Sequence, residues 1–269
     1  MYKLIAVDMD GTLLKEDKTI SEATVKAINK ARAKGVKVVL ASGRPIEGLN
    51  RYLNELDLIS EEDYVLSYNG AVVQNTATKE IISRTVLKGS DLHYLHNLSK
   101  ELGVNIHAFS TEQGLITPKM NKYTGVESTI NGVSVLEREF ESIDNEAEMI
   151  KIMIIDEPEI LEAAIAKLPK EVYEKYTVVK SAPYFLEFLD KRANKGEGVR
   201  ALANHLGLTN EQVICIGDAG NDLHMIQFAG LGVAMGNAFE EIKEIADYIT
   251  KTNEEDGVAY VIEKFVIAS

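Results

Sequence analysis

A single cysteine, Cys215, stands in 269 residues. No internal disulfide can form, and a zinc site built mainly from thiolates is excluded. The chain reads as one from a reducing compartment. Positive charge is also short: 29 Lys and Arg stand against 42 Asp and Glu, a formal charge of −13. Nucleic acid and anionic lipid surfaces need clustered Lys and Arg, so neither is an expected partner. No apolar run approaches the ~18 residues of a membrane span. The opening Met1–Val7 reaches Asp8 too soon to hold a signal-peptide core. A soluble, cytoplasmic chain is expected. None of this excludes a small anionic substrate, because one lysine and a bound metal can reverse the field locally.

What remains is globular: 45% of the residues are hydrophobic and 26% are charged. The length suggests about two domains. Leu4 to Val7 is continuously apolar, as in a strand buried on both faces. Ser21 to Lys34 has helical spacing, with Ser21 as N-cap and Gly35 closing it. Val36 to Ala41 is a second buried strand, and Pro45 opens a helix through Leu49, Leu53 and Leu56. This βαβ rhythm predicts a parallel sheet with helices on both faces. Tyr64 to Ser67 is another strand, and Asn69-Gly70 is a turn signal before a hairpin.

The middle of the chain, 84–189, is rich in strands and has its own αβ rhythm. Residues 119–135 are polar and carry no clear pattern. Glu137 to Glu148, with six acids and one Arg, reads as a solvated linker. Glu157 to Leu168 is helical, capped by Asp156. After Asp190 the first rhythm resumes, with a helix from Gly196, a buried strand Val213 to Ile216 and a last helix over 257–267. The expectation is a discontinuous core of 1–83 and 190–269 carrying an insertion over 84–189. The five histidines show no metal-ligand spacing and are expected at the surface. Met9, Met149, Met153, Met225 and Met235 are expected to fill core.

Chemistry-bearing residues gather at predicted strand ends. Asp8 and Asp10 share a side of an extended strand, and their repulsion needs a cation or proton to offset it. Such oxygen donors favour Mg2+ over a thiophilic metal. Asp218 and Asp222, beyond another strand, can complete the cluster. Lys195, before a helix, suits a phosphoryl group. Ser42 and Gly43 offer a hydroxyl and an unhindered N–H for phosphate oxygens. Taken singly, each is as well read as a helix cap, a turn residue or a surface lysine; the coincidence of all of them points to a site. Gly217-x-x-Gly220 lacks dinucleotide spacing, and no P-loop pattern occurs.

Together these segments resemble the haloacid dehalogenase-like hydrolases, in particular the Cof-type sugar-phosphate phosphatases. The resemblance spans essentially the whole chain. It is carried by Asp8-Met9-Asp10-Gly11-Thr12, by Ser42-Gly43-Arg44-Pro45, by Asn194-Lys195-Gly196, and by Gly217 to Asp222 in the pattern Gly-Asp-x-x-Asn-Asp. It implies an α/β fold: a Rossmann-like core, with an α/β cap of the second type inserted between the second and third motifs. It implies Asp8 as a nucleophile forming an aspartyl-phosphate, and Asp10 as the acid and base. Mg2+ would be held by the Asp8 carboxylate, the Asp10 backbone carbonyl and Asp218, with Asn221 and Asp222 beside them. Ser42, Gly43 and Lys195 would hold the phosphoryl oxygens. Asn69, Gly70, Lys180 and Tyr184 are candidates for substrate contact.

The implied partner is a small phosphorylated sugar; monomer and homodimer stay open. The alternatives are a phosphatase of a phosphorylated cofactor such as pyridoxal phosphate or flavin mononucleotide, a phosphomutase, and a non-catalytic phospho-ligand sensor.

Overall fold

A computed structural model describes residues 1–268. The chain divides into two units: Met1–Arg84 together with the segment from Asn194 onward, and Thr85–Ala193. The first unit begins with β1 (Leu4–Asp8), α1 (Glu22–Ala33), β2 (Lys37–Ala41), α2 (Asn50–Glu55), β3 (Tyr64–Ser67), β4 (Val72–Asn75) and β5 (Ile81–Arg84). The middle unit opens with β6 (Leu87–Lys88), α3 (Gly89–Leu102), β7 (Asn105–Ser110), β8 (Gly114–Thr117), α4 (Lys122–Asn131) and β9 (Val135–Glu137). It closes with β10 (Glu148–Ile155), α5 (Pro158–Ile165), α6 (Lys170–Lys175), β11 (Tyr176–Ala182) and β12 (Phe185–Asp190). The first unit then resumes with α7 (Lys195–His205), β13 (Val213–Gly217), α8 (Leu223–Phe228), β14 (Leu231–Ala234), α9 (Glu240–Ile245), β15 (Tyr248–Ile249) and α10 (Gly257–Ile262).

The sheet of the first unit runs β15-β14-β13-β1-β2-β3-β4-β5. It is parallel from β15 to β3, and β4 and β5 add antiparallel at the edge. The apolar run in β1 follows from cover on both faces. Ile5 and Val7 pack with Ile28, Val258 and Ile262, whereas Leu4 and Ala6 pack with Val199, Leu202 and Met225. Helix α1 starts where Ser21 Oγ accepts from Thr24 N at 3.1 Å. From β1 the chain goes to β2 on one side and returns to β13 on the other. Strand order therefore reverses between β1 and β13. In open parallel sheets such a reversal leaves a crevice beyond the carboxyl ends of the strands, where ligands bind.

The middle unit has its own sheet, β11-β12-β10-β7-β8-β9, with β6 added to β10. One face is apolar: Ile152, Ile154, Leu186 and Phe188 pack under Leu92 and Leu95 of α3 and Leu161 of α5. The other face carries a buried ion trio. Lys151 Nζ donates to Glu127 Oε1 at 3.3 Å and Glu187 Oε1 at 3.2 Å. His107 on the same face is fully buried, with Nδ1 3.1 Å from Thr124 Oγ1.

Several expectations fail here for physical reasons. The unpatterned stretch 119–135 holds α4, whose buried residues, Tyr123, Thr124, Glu127 and Asn131, are mostly polar. Asn121 caps it, accepting from Thr124 N at 2.9 Å. A short helix not expected from the sequence, α6, precedes β11; Val172 is its one buried residue. Asp156 does not cap α5: Glu157 takes that position before Pro158, and Asp156 Oδ2 instead accepts from Asn105 Nδ2 at 2.8 Å. His96 and His107 are buried rather than superficial. The final helix changes to a π turn over Glu263–Ile267. Pro45 stands just before a 3-10 turn, Ile46–Leu49, that leads into α2. All five named methionines are buried as expected.

Candidate active site

Asp8 ends β1, and Asp218 follows the last residue of the adjacent β13. Their proximity is a consequence of parallel pairing that sets Val7 opposite Ile216. The loop after β1 turns at Gly11, φ +85°, where a Cβ would stand 2.5 Å from Asp218 Oδ2. Only glycine fits there. Thr12 Oγ1 then donates to Asp218 Oδ1 at 2.7 Å. Asp222 is fully buried, and its Oδ2 accepts from the backbone N–H of Asp218 (2.9 Å) and Ala219 (3.1 Å).

Lys195 is the first residue of α7, and its side chain has no solvent exposure. Its Nζ donates to Asp222 Oδ1 at 2.7 Å and also contacts Asp8 Oδ1. Three glycines let the start of α7 come this close. A Cβ on Gly70 would meet Asn194 O at 2.5 Å, one on Gly196 would meet His224 C at 2.6 Å, and one on Gly198 would meet Gly70 Cα at 3.0 Å. Gly70 thus seats Lys195 by its lack of a side chain.

Carboxylate oxygens of Asp8, Asp218 and Asp222 all lie within 4.8 Å of one another. Burial, then repulsion from Asp222, pushes the Asp8 carboxyl well above its ordinary value despite the pull of Lys195. Burial likewise raises Asp218. For Lys195, burial opposes the charge, but the attraction of Asp222 and Asp8 outweighs it and raises the ammonium pKa. Three crowded acids facing one cation leave a negative excess. The donor set is all oxygen, which fits a hard divalent cation.

Asp10 stands outside this cluster. Both its oxygens accept from Arg44 Nη2, at 2.8 and 2.7 Å, and Oδ1 also accepts from Lys18 Nζ at 2.7 Å. Partial burial works to raise the Asp10 carboxyl, but Lys18 and Arg44 outweigh it and hold the group below its ordinary value. Neither cation carries an expected role in the sequence. Arg44 was visible in Ser42-Gly43-Arg44, where a charge directly follows a strand-end Ser-Gly; Lys18, eight residues from Asp10, left no signal.

Ser42 is buried just past β2, and its Oγ accepts from Arg44 N at 3.2 Å. Gly43 packs on Asn69: a Cβ there would stand 3.1 Å from Asn69 Nδ2. Asn69 N donates to Ser42 O at 2.8 Å, and Asn69 Oδ1 accepts from Asn221 Nδ2 at 3.2 Å. The structure therefore brings Asp8, Ser42, Gly43, Asn69, Gly70, Lys195, Asp218, Asn221 and Asp222 together at one end of one sheet. Lys180 and Tyr184 belong to the middle unit. Lys180 pairs with Glu162, and Tyr184 stacks on Tyr123 with ring centroids 4.8 Å apart.

The chain is similar to known proteins over nearly its whole length. The sequence model of the haloacid dehalogenase-like hydrolases (Hydrolase_3) matches residues 5–262. The chain is 48% identical over 270 residues to YxeH of Bacillus subtilis, named as a candidate phosphatase, covering 100% of both chains. It is 33% identical to the 5-amino-6-(5-phospho-D-ribitylamino)uracil phosphatase YcsE of the same organism, over 98% of this chain and 96% of that one. Among solved structures, a haloacid dehalogenase-like hydrolase from Bacteroides thetaiotaomicron superposes with TM-score 0.85 at 36% identity, covering 98% of this chain and 99% of the other. The subclass IIB sugar phosphatase BT4131 gives TM-score 0.78 at 27% identity, covering 98% and 99%.

Proposed function

The chain belongs to the haloacid dehalogenase-like hydrolases, and from that membership we propose that it is a Mg2+-dependent phosphatase of small sugar phosphates. The observation that carries this reading is the buried Lys195 ammonium between Asp8 and Asp222, beside Asp218 at the switch between β1 and β13. A carboxylate nucleophile and a phosphate repel each other, so a phosphatase built on Asp8 needs cations at this point. Lys195 is one. Mg2+ held by the Asp8 and Asp218 carboxylates and the Asp10 backbone carbonyl, with Asp222 and Asn221 in support, would supply further positive charge beside the phosphoryl oxygens.

In the proposed reaction an Asp8 oxygen attacks phosphorus and the ester P–O bond breaks. Asp10 gives its proton to the leaving sugar oxygen. Water then attacks the aspartyl-phosphate, Asp10 takes the proton, and inorganic phosphate leaves with Asp8 restored. Splitting hydrolysis in this way replaces one difficult displacement by two easier ones. Ser42, Gly43 and Lys195 hold the phosphoryl oxygens. For Asp10 to move a proton, its carboxylate must give up an oxygen now held by Arg44 or Lys18. The middle unit is proposed to act as the cap that selects the leaving group, with Lys180 and Tyr184 as candidate contacts.

The sugar-phosphate assignment draws on the likeness to BT4131 and on the resemblance to the Cof-type sugar-phosphate phosphatases. A second reading is favoured by YcsE: a phosphorylated cofactor or its precursor as substrate. A phosphate-release panel of sugar phosphates and phosphorylated cofactors, run with magnesium chloride, separates the two. Turnover should vanish with EDTA and in Asp8→Asn. Undiminished release from Asp8→Asn would sink the nucleophile assignment.

A further inference from the structure

We propose that Asn69 is a phosphate-binding residue, its Nδ2 donating a hydrogen bond to a phosphoryl oxygen of the substrate. This rests on the phosphatase reading and adds a neutral donor to the site. The starting observation is backbone conformation. Tyr68, Asn69 and Gly70 have φ of +51°, +55° and +82°, three successive residues in the left-handed region. Asn tolerates that region and Gly prefers it, but a tyrosine has no intrinsic reason to adopt it. The surroundings impose it: Tyr68 N donates to Arg44 O at 3.0 Å, Asn69 N donates to Ser42 O at 2.8 Å, and Gly70 lies against Asn194.

The result is the placement of one side chain. The Asn69 amide is laid against Gly43, whose missing side chain leaves the room for it. Its oxygen accepts from Asn221 Nδ2 at 3.2 Å, and this pairing sets which way the amide faces. No acceptor among the described residues engages Nδ2, although the residue is only partly exposed. A donor held against Gly43, one residue past the buried Ser42, with no partner of its own among the described residues, is arranged for an oxygen-rich ligand. A neutral amide also suits this end of the sheet: it binds a phosphate oxygen without adding charge to the acidic cluster.

The test is Asn69→Asp. The new side chain is nearly isosteric, keeps an oxygen for Asn221, tolerates positive φ, and turns the donor into an anionic acceptor. Inorganic phosphate is the probe, its binding measured calorimetrically and as competitive inhibition in magnesium chloride. We expect binding to weaken by about 30-fold or more, and KM to rise similarly, with the thermal midpoint unchanged. Asn69→Gly, which keeps the backbone and removes the amide, should weaken phosphate about tenfold, as for loss of one hydrogen bond to a charged group. Phosphate binding at the wild-type level in Asn69→Asp would overturn the proposal. So would a raised KM for esters with unchanged phosphate binding, which would place the contact on the leaving group. Calorimetry needs no turnover. A wild-type protein that binds phosphate through Asn69 yet hydrolyses nothing would refute the phosphatase reading and leave this one standing.

Discussion

Replacing Lys195 by methionine removes the ammonium in contact with Asp8 and Asp222 while keeping most of the side-chain volume. Three carboxylates whose oxygens lie within 4.8 Å then face one another without it. At an effective dielectric constant of ~20, unit charges at that separation repel by roughly 3 kcal/mol per pair. Breaking a buried pair by deleting one partner costs about 3 to 5 kcal/mol, a large share of the ~5 to 15 kcal/mol that stabilises a typical domain. The urea midpoint of Lys195→Met should therefore fall sharply in metal-free buffer, and magnesium chloride should recover part of the loss. The sign with pH follows from Asp8 and Asp218, both raised in the folded state. Folded protein then holds protons that the unfolded chain releases above its ordinary carboxyl pKa, so stability falls as pH climbs through the folded value. The deficit of the variant should be larger at pH 8 than at pH 5. Phosphate release should drop by about 100-fold or more, as for loss of a preorganised donor. An unchanged metal-free midpoint at pH 8 would refute the argument that Lys195 holds this cluster together.

Gly70→Ala should destabilise the protein by about 2 kcal/mol or more, because positive φ and a contact 2.5 Å from Asn194 O coincide; phosphate release should fall as Lys195 shifts, and a wild-type urea curve with full activity would contradict this. His107 is held neutral by burial first and the nearby Lys151 second, at about 3. The unfolded chain binds that proton below roughly pH 6.5, so stability should decline between about 6.5 and 3 by up to ~1.4 kcal/mol per pH unit. His107→Leu should flatten this slope in urea titrations, and an unaltered slope would show that other groups set it.

Much of the first unit is legible in the sequence because burial on both faces leaves a plain mark. Leu4 to Val7 and Val213 to Ile216 are apolar at every position, and each faces two apolar clusters. Ser21 announces α1 by the chemistry of its cap. The motif residues are legible as types, Asp, Ser and Lys at strand ends, but not as contacts. That Asp10 is gripped by Arg44, 34 residues away, is a product of β1 and β2 lying side by side. Helix α4 leaves no apolar period in the sequence because its buried face is a polar one, satisfied by Lys151 and by the Asn121 cap rather than by apolar packing. The burial of His107 is hidden for the same reason, since α4 supplies the Thr124 hydroxyl beside it. Asn69-Gly70 reads as a turn, yet nothing local foretells that Tyr68 joins it in the left-handed region.

The order of strands has a consequence during synthesis. β1 can find β2 almost as soon as both leave the ribosome, but its other neighbour, β13, is encoded about 170 residues later. At translation rates of ~5 to 20 residues per second, that edge of the central strand waits roughly 10 to 35 seconds for its partner. The middle unit, whose strands pair only with one another, is complete before the wait ends. Asp8 thus leaves the ribosome long before Lys195 and Asp218, and the growing chain carries an open apolar edge until its last third is made. A chaperone that holds unfolded chains has that interval in which to act.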